Sequence, residues 1–122
     1  VTTRNYRHGN TAKVNQLFSD MKAGKIGALI TYDTNPAYTL PKGAEFAEAM
    51  KKVGLTVAFS MTANETAGAS QYVVATPHYL ESWGDVMIKM GQHSLVQPTI
   101  NKLFDTRQFQ EALMKWINMP GT

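Results

Sequence analysis

The sequence predicts a small Rossmann-like α/β domain with three layers, a mainly parallel sheet, a long irregular loop and a C-terminal helix. Helical and strand patterns alternate along the chain, the strand segments are short and apolar, and turn-rich segments separate them. Such alternation favours a parallel sheet whose right-handed crossovers carry helices on its faces. The length of 122 residues suits one domain with one core, and we expect residues 1–122 to form it.

The first predicted elements are a helix and a strand. Asn10 or Thr11 is expected to cap the helix, and Gly24 suits its C-terminal end. The apolar residues of this helix recur with the period of a buried face, at Val14, Leu17, Phe18 and Met21. Residues 25–32, with the sequence KIGALITY, have the length and composition of a buried strand.

Two further strands and a helix are predicted in the middle of the chain. A turn-rich loop, DTNPAYTLPKG, covers residues 33–43, and a helix follows over Glu45–Val53. Leu55–Ser60 is short and rich in β-branched residues, which favours a strand. Asn64 is expected to cap a short helical turn, and Gln71–Thr76 predicts a third strand that ends at a proline.

The last third of the chain lacks a clear period until its final helix. Pro77–Lys102 has breaks at a proline and two glycines, so we expect a long irregular loop there. Asp105 is expected to cap the last helix, with Gln108 in a capping-box position. The apolar face of that helix contains Phe109, Ala112, Leu113, Trp116 and Ile117.

Composition excludes several classes of function. The absence of cysteine excludes disulfides, zinc–thiolate sites, iron–sulfur ligation and a cysteine nucleophile within these residues. The net charge of +3 is too small to indicate nucleic-acid binding, and no apolar run is long enough to insert into a membrane. Basic residues are concentrated early in the chain, either as a solvated helix face or as an anion-binding arm: Arg4, Arg7, Lys13, Lys22 and Lys25.

The loops that follow the three predicted strands are expected to meet at one edge of the sheet, where ligands bind in folds of this class. Neither a GxGxxG nor a P-loop motif is present, which argues against a classical NAD or ATP site. Asn35–Pro36 in the first loop is typical of a structural turn. Glu65 and Thr66 in the second loop lie at a predicted helix N-terminus, where a capping role accounts for them.

The third loop, TPHYLESWGD, contains the richest set of polar side chains. His78, Glu81 and Asp85, with His93, have the chemistry of zinc or iron ligands, but their spacing matches no standard metal signature. A triad of Ser82, His78 and Asp85 lacks a nucleophile elbow. We therefore assign no catalytic and no metal-binding residue.

The preferred interpretation of this third loop is structural. In it, His78 and Glu81 bond to backbone groups, and Trp83 buries its ring.

Three segments taken together resemble the molybdopterin oxidoreductase (DMSO reductase) superfamily. They are ALITYDTNPAYTLP, ANETAGASQYVVATPHYLESWGD and HSLVQPTINKLFDTR, in this order, within roughly Met21–Leu113. The HYLESWGD and QPTI motifs are more similar to one branch, the molybdopterin-oxidoreductase-like iron–sulfur subunit of bacterial alternative complex III. That complex is a quinol:electron-acceptor oxidoreductase.

The resemblance to this branch implies a cofactor-less scaffold domain that is not catalytic by itself and is a fragment of a larger subunit. The alternative is the dinucleotide-binding lobe of an active molybdopterin oxidoreductase. In that case the residues expected to line the molybdopterin guanine dinucleotide pocket are Asn35, Pro36, Glu65, Thr66 and His78. Asp33 favours the scaffold, because superfamily members usually carry Gly at this position and an anionic side chain repels a pyrophosphate.

The resemblance also implies partners and a location. Iron–sulfur clusters are expected elsewhere in the parent subunit. The partners implied are the rest of that subunit and other subunits of a membrane-associated respiratory complex. Location on the periplasmic side of the inner membrane is implied in the same way.

Overall fold

A parallel three-stranded sheet forms the centre of the computed structural model, which describes residues 9–119. A 3₁₀ turn (Tyr79–Glu81) links this sheet to a separate hairpin. In chain order the helices and strands are α1 (Thr11–Lys22), β1 (Ala28–Tyr32), α2 (Pro36–Thr39), α3 (Gly43–Met50), β2 (Leu55–Ser60), α4 (Glu65–Gly68), β3 (Tyr72–Ala75), β4 (Gly84–Lys89), β5 (Gln92–Val96) and α5 (Phe109–Trp116).

The parallel pairing confirms the predicted sheet, and its strands lie in the order β1-β2-β3. β2 lies in the middle, with Tyr32 opposite Phe59 on one side and Ala58 opposite Val73 on the other. Because all three strands are parallel, their carboxyl ends open onto one rim of the sheet.

Helices cover both faces of the sheet, which gives the three layers expected. Leu29 on β1 belongs to a buried cluster with Met21 of α1 and Phe46 of α3. Side chains alternate between the faces of a strand, so Tyr32, three residues after Leu29, points to the opposite face. There its ring stacks on Phe109 of α5, with 4.9 Å between the ring centres.

Two predicted helix signals hold α1 in place. The Asn10 side chain accepts a hydrogen bond from the Lys13 amide at 2.9 Å, as an N-cap residue does. Gly24 follows the helix with a φ of +68°, a left-handed conformation that glycine adopts without steric cost.

Several predicted boundaries are shifted in the structure. β1 begins at Ala28 and not at Lys25, and α3 covers Gly43–Met50 and not Glu45–Val53. The early start of α3 escapes prediction because glycine is a poor helix former. Here the missing side chain lets α3 approach α2 closely.

The turn predicted at Asn35–Pro36 opens a short helix, α2, with Pro36 at its first position. Proline is favoured there because its fixed φ suits a helix and its missing amide is not needed.

The expectation of an irregular loop over Pro77–Lys102 is wrong in its middle. β4 and β5 form an antiparallel hairpin there, with a turn at Gly91 (φ +78°). The strands show no clear apolar period because neither is packed into the core; Leu95, for example, is 82% exposed.

The last helix begins later than predicted. Gln108, not Asp105, is its N-cap residue, and the Gln108 amide donates to the Glu111 carboxylate at 3.3 Å. Phe109 and Trp116 both place their rings edge-on against Phe59 of β2, so these two residues of the predicted apolar face pack on the sheet, whereas Ile117 is 67% exposed.

Replacing Gly43 by alanine is expected to destabilise the fold. A Cβ atom at this position would lie 1.9 Å from the backbone oxygen of Ala37, so α2 and α3 would have to separate. We expect a loss of about 1–3 kcal/mol in the free energy of unfolding, measured by urea denaturation. Gly68→Ala is the matched control, because nothing lies within 4 Å of a Cβ there. Equal stability of the two variants would contradict this account of the α2–α3 contact.

Candidate functional site

The three loops that follow β1, β2 and β3 meet at the rim of the sheet, as predicted. The first two are joined through side chains, whereas the third borders a cleft beside them. The sequence-predicted site residues therefore divide into two groups. Asn35, Pro36, Glu65 and Thr66 lie together, and His78 lies in the cleft, whose lining includes none of the other four.

The Asn35 side chain connects the first rim loop to the second. Its Oδ1 atom accepts hydrogen bonds from the Thr66 hydroxyl at 2.8 Å and from the Thr66 amide at 3.2 Å. Its Nδ2 group donates to the Glu65 carboxylate at 2.6 Å. The amide therefore uses both of its ends on α4 and makes no cap hydrogen bond to its own helix, α2.

Thr66 completes this connection from a fully buried position, with 0% of its surface exposed. Its hydroxyl donates to Asn35 Oδ1 and accepts a hydrogen bond from the Ala37 amide at 3.0 Å. The hydroxyl is thus satisfied in both directions, as a buried polar group requires. We call the set of Asn35, Glu65 and Thr66 the rim clamp.

Hydrogen bonding also changes the acidity of Glu65. The hydrogen bond from the Asn35 amide, helped by a backbone amide at the start of α4, holds the pKa of this carboxyl below its ordinary value. Ionised carboxylates are the stronger acceptors, which explains the direction.

Asn64 and Ser60 hold the second loop in place through side-chain hydrogen bonds. Asn64 Oδ1 accepts from the Ala67 amide at 2.9 Å, which confirms the predicted cap, and its Nδ2 donates to the Ser60 hydroxyl at 3.0 Å. The role of Ser60 was not predicted, because a serine at the end of a strand carries no distinctive sequence signal.

His78 serves as the cap of the 3₁₀ turn. Its Nδ1 atom accepts from the Leu80 amide at 3.3 Å, as the structural interpretation of this loop predicted. The same expectation is wrong for the Glu81 side chain, which has no hydrogen bond to residues 9–119; only the Glu81 backbone amide donates, to the His78 carbonyl at 2.9 Å. The expectation that Trp83 buries its ring is wrong, since 57% of this residue is exposed. Its position on the rim of a cleft, and not over the core, is the reason.

The described residues form neither the catalytic triad nor the metal site that were weighed for this loop. The Ser82 hydroxyl donates to the His78 carbonyl at 3.1 Å, so its hydrogen bond goes to backbone and not to the imidazole. Within residues 9–119, no three histidine or carboxylate side chains are grouped to hold a metal ion.

The cleft beside the rim clamp has a volume of about 640 Å³ and lies at the carboxyl ends of β1 and β3. It is lined by Tyr32, Asp33, Met61, Thr76, Pro77, His78, Tyr79, Ser82, Trp83, Gly84, Asp85, Val96, Gln108 and Gln110. Its lining contains two carboxylates, Asp33 and Asp85, and neither lysine nor arginine. Gln108 fixes one wall, because its side-chain amide donates to the Trp83 carbonyl at 2.6 Å; no sequence signal indicated this contact.

Two of the basic residues near the N-terminus, Lys22 and Lys25, lie beside carboxylates. Lys22 pairs with Glu45, and Lys25 lies 3.8 Å from Asp20. Arg4 and Arg7, which belong to the same prediction, lie outside the described residues. Between residues 9 and 119 no helix is long and apolar enough to cross a membrane.

One curated relative establishes the family. Over 97 residues the chain is 35% identical to the menaquinone reductase, molybdopterin-binding-like subunit of Nitratidesulfovibrio vulgaris. The match covers 76% of this chain, and 14% of the relative. The chain belongs to the molybdopterin oxidoreductase superfamily. This membership confirms the resemblance seen in the rim-loop motifs, while the assignment to the alternative complex III branch stays a prediction.

A solved structure shows the same fold. Acetylene hydratase from Pelobacter acetylenicus superposes with a TM-score of 0.66 at 17% sequence identity, over 79% of this chain and 14% of the hydratase. No family model matches the sequence. This chain thus spans about one seventh of the length of each of the two superfamily proteins it matches.

Replacing Glu65 by glutamine is expected to weaken the acid sensitivity of the fold. A carboxyl whose pKa is lowered by folding stabilises the folded state above its unfolded pKa, about 4.3 for glutamate, and loses this contribution as the pH falls through the folded value. We expect wild type to lose more stability than Glu65→Gln between pH 7 and about pH 3, measured as urea unfolding midpoints.

Glu81→Gln is the matched control, since its side chain has no hydrogen bond or ion pair to the described residues. It is expected to follow the wild type. A Glu65→Gln variant that loses as much stability in acid as the wild type would show that the bond from Asn35 does not depend on the charge of Glu65.

Proposed function

We propose that the chain is a cofactor-less scaffold domain of an oxidoreductase-like subunit in a respiratory quinol:electron-acceptor oxidoreductase. Its task is to pack against the rest of that subunit and against neighbouring subunits on the periplasmic side of the inner membrane. The domain carries out no chemical step by itself. The charge of the rim cleft is the observation that carries this proposal.

A nucleotide pyrophosphate would meet like charge in that cleft. Asp33 and Asp85 both line it, and no lysine or arginine among its lining residues offsets them. Phosphate sites in proteins generally use cationic side chains or several free backbone amides, because the negative charge must be neutralised. The residues around the cleft therefore do not fit the pyrophosphate of a molybdopterin guanine dinucleotide.

Asp33 combines a left-handed backbone conformation, which glycine adopts most easily, with an acidic side chain. Its φ of +47° lies in the left-handed region, and its amide donates to the Phe59 carbonyl at 3.0 Å. Glycine adopts this conformation most easily, and it is the residue that superfamily members usually carry here. The backbone turn of a cofactor-binding rim is thus retained, whereas the side chain disfavours an anionic ligand.

The rim clamp supports the same proposal. The side-chain amide of Asn35 already bonds to Glu65 and Thr66, and the Thr66 hydroxyl is already both donor and acceptor. A ligand that bound these groups would have to replace those hydrogen bonds, including ones to a buried hydroxyl. We infer that this motif serves to join α2 to α4.

Membership of a complex is supported by the curated relative, which is named as a subunit of a menaquinone reductase. The 122 residues contain no cysteine, so iron–sulfur clusters of the parent would be held by other segments. The share of each relative that the chain covers agrees with a domain inside a larger subunit.

The alternative is the dinucleotide-binding lobe of an active molybdopterin oxidoreductase. One observation favours it: the cleft lies outside the carboxyl ends of parallel strands, where this class of fold binds ligands. His78, at the cleft, would then be the sequence-predicted residue nearest to such a ligand.

Metal and pterin analysis of the intact parent subunit distinguishes the two functions. We expect iron without stoichiometric molybdenum or tungsten, and no guanine nucleotide released on denaturation. An active molybdoenzyme purified from the same cells is the control for cofactor supply. Molybdenum or tungsten near one atom per subunit would contradict the scaffold proposal.

A further inference from the structure

The cleft beside the rim clamp carries negative charge that the described part of the chain leaves unbalanced. Asp33 follows β1 directly and Asp85 belongs to β4, and both line the cleft. Neither carboxylate accepts a hydrogen bond or forms an ion pair within residues 9–119. A cleft lined by charges of one sign concentrates ions of the opposite sign, so this one favours a cation.

Aromatic rings line the same cleft and remain accessible. Tyr32, Tyr79 and Trp83 are all exposed, Tyr79 by 65%. The face of an aromatic ring is negatively polarised and attracts cations, and tryptophan does so most strongly. Trp83 contacts no other aromatic ring among residues 9–119. The cleft thus presents carboxylates and free ring surface together.

The segment that carries Tyr79 and Trp83 is held in place by hydrogen bonds. The Leu80 carbonyl accepts from the Thr99 amide at 2.8 Å, and the Trp83 carbonyl accepts from the side chain of Gln108. Binding groups that are already fixed lose less conformational entropy when a ligand arrives. The rings are therefore positioned before anything enters the cleft.

The lining residues discriminate between kinds of cation. A metal ion is disfavoured, because the described residues hold no group of three histidine or carboxylate side chains that could ligate one. An ammonium group is compact and strongly hydrated, whereas the guanidinium of arginine is planar, more weakly hydrated and able to stack on aromatic faces. Its several donors also suit more than one carboxylate. Arginine therefore fits the combination of carboxylates and rings best.

We propose that the cleft binds the arginine side chain of a polypeptide segment. The guanidinium pairs with the carboxylates of Asp33 and Asp85 and contacts the rings of Tyr79 and Trp83. The cleft volume of about 640 Å³ is in the range of sites that hold drug-sized ligands, so the arginine enters with part of its flanking backbone.

This inference deepens the proposed scaffold function and rests on it, because a dinucleotide in the cleft would exclude the arginine. Two sources can supply the side chain. Arg4 and Arg7 of this chain lie outside the described residues. The other source is a further segment of the parent subunit, since this chain spans only 14% of each superfamily protein that it matches.

Titration of the full 122-residue chain with N-acetyl-arginine amide tests the inference. Arg4→Gln and Arg7→Gln are introduced together, so that neither arginine competes with the probe. N-acetyl-citrulline amide is the matched control ligand, because it has nearly the same shape without the charge. Binding is followed by the NMR signal of the Trp83 indole N–H. The Trp116 indole is the internal reference, since it packs on Phe59 and does not line the cleft.

We expect a saturable shift at Trp83 and an affinity for the arginine probe at least about 10-fold higher than for the citrulline probe. An unshifted Trp83 signal, or equal affinity for the two probes, would overturn the inference.

Substitutions of the two carboxylates give a second readout. Asp33→Asn and Asp85→Asn are each expected to lower the affinity for the arginine probe about 10-fold. Asparagine tolerates the left-handed conformation of Asp33, so the backbone turn is kept. Glu81→Gln is the matched control, because this nearby carboxyl does not line the cleft, and it is expected to leave the affinity unchanged. Unchanged affinity in either aspartate variant, or an equal loss in Glu81→Gln, would overturn the inference.

The wild-type chain identifies the source of the arginine. Probe affinity about 10-fold lower in the wild type than in the Arg4→Gln, Arg7→Gln chain would assign the site to one of these two residues, which compete as tethered ligands. Equal affinity would assign it to a further segment of the parent. Molybdenum in the parent would contradict the scaffold function and leave the preference for arginine over citrulline unchanged.

Discussion

The hydrogen bonds between Asn35 and Thr66 are the interaction on which the rim of this domain depends. They join residues that are 31 positions apart, and they connect the loops that leave two neighbouring strands. Because the Thr66 side chain is completely buried, its hydroxyl must find its partners inside the protein. Asn35 and the Ala37 amide provide them, and α2 is thereby fixed against α4. α2 also lies in close contact with α3 at Gly43, and α3 contributes residues to the buried core. The position of the rim is thereby linked to that of the core helices.

This arrangement gives the Asn–Pro and Glu–Thr–Ala motifs a role that needs no ligand. Each polar group of the clamp has a partner within the chain, and the neighbouring cleft carries negative charge where a pyrophosphate would require positive charge. The rim lies at the carboxyl ends of parallel strands, where folds of this class bind ligands, but its clamp residues bond to one another. The scaffold function proposed for the domain rests on that combination.

The sequence predicted those elements whose pattern is set by burial. α1 packs its apolar face against the core and β2 is buried along almost its whole length, so the period of the first and the apolar run of the second were recognisable. Membership of the superfamily was recognisable from the ordered rim motifs. The β4–β5 hairpin was missed because its side chains are largely exposed and no core imposes a period on them.

The rim clamp was missed for another reason. Local chemistry suggested that Asn35 would bond to its own turn, and only the parallel register of β1 and β2 brings it to Thr66. The exposure of Trp83 could not be predicted for the same reason, because the cleft beside it is formed by segments that are distant in the sequence.

A double-mutant cycle between Asn35 and Thr66 tests the central claim most directly. The free energy of unfolding would be measured for wild type, Asn35→Ala, Thr66→Val and the double variant, with Asn10→Ala and Thr66→Val as the control pair, since Asn10 caps α1 and shares no partner with Thr66. If the clamp organises the rim, the first pair is coupled by about 1 kcal/mol or more, and the control pair is additive to within about 0.5 kcal/mol. Additive effects of Asn35→Ala and Thr66→Val would show that these residues stabilise the domain independently, and would contradict the account.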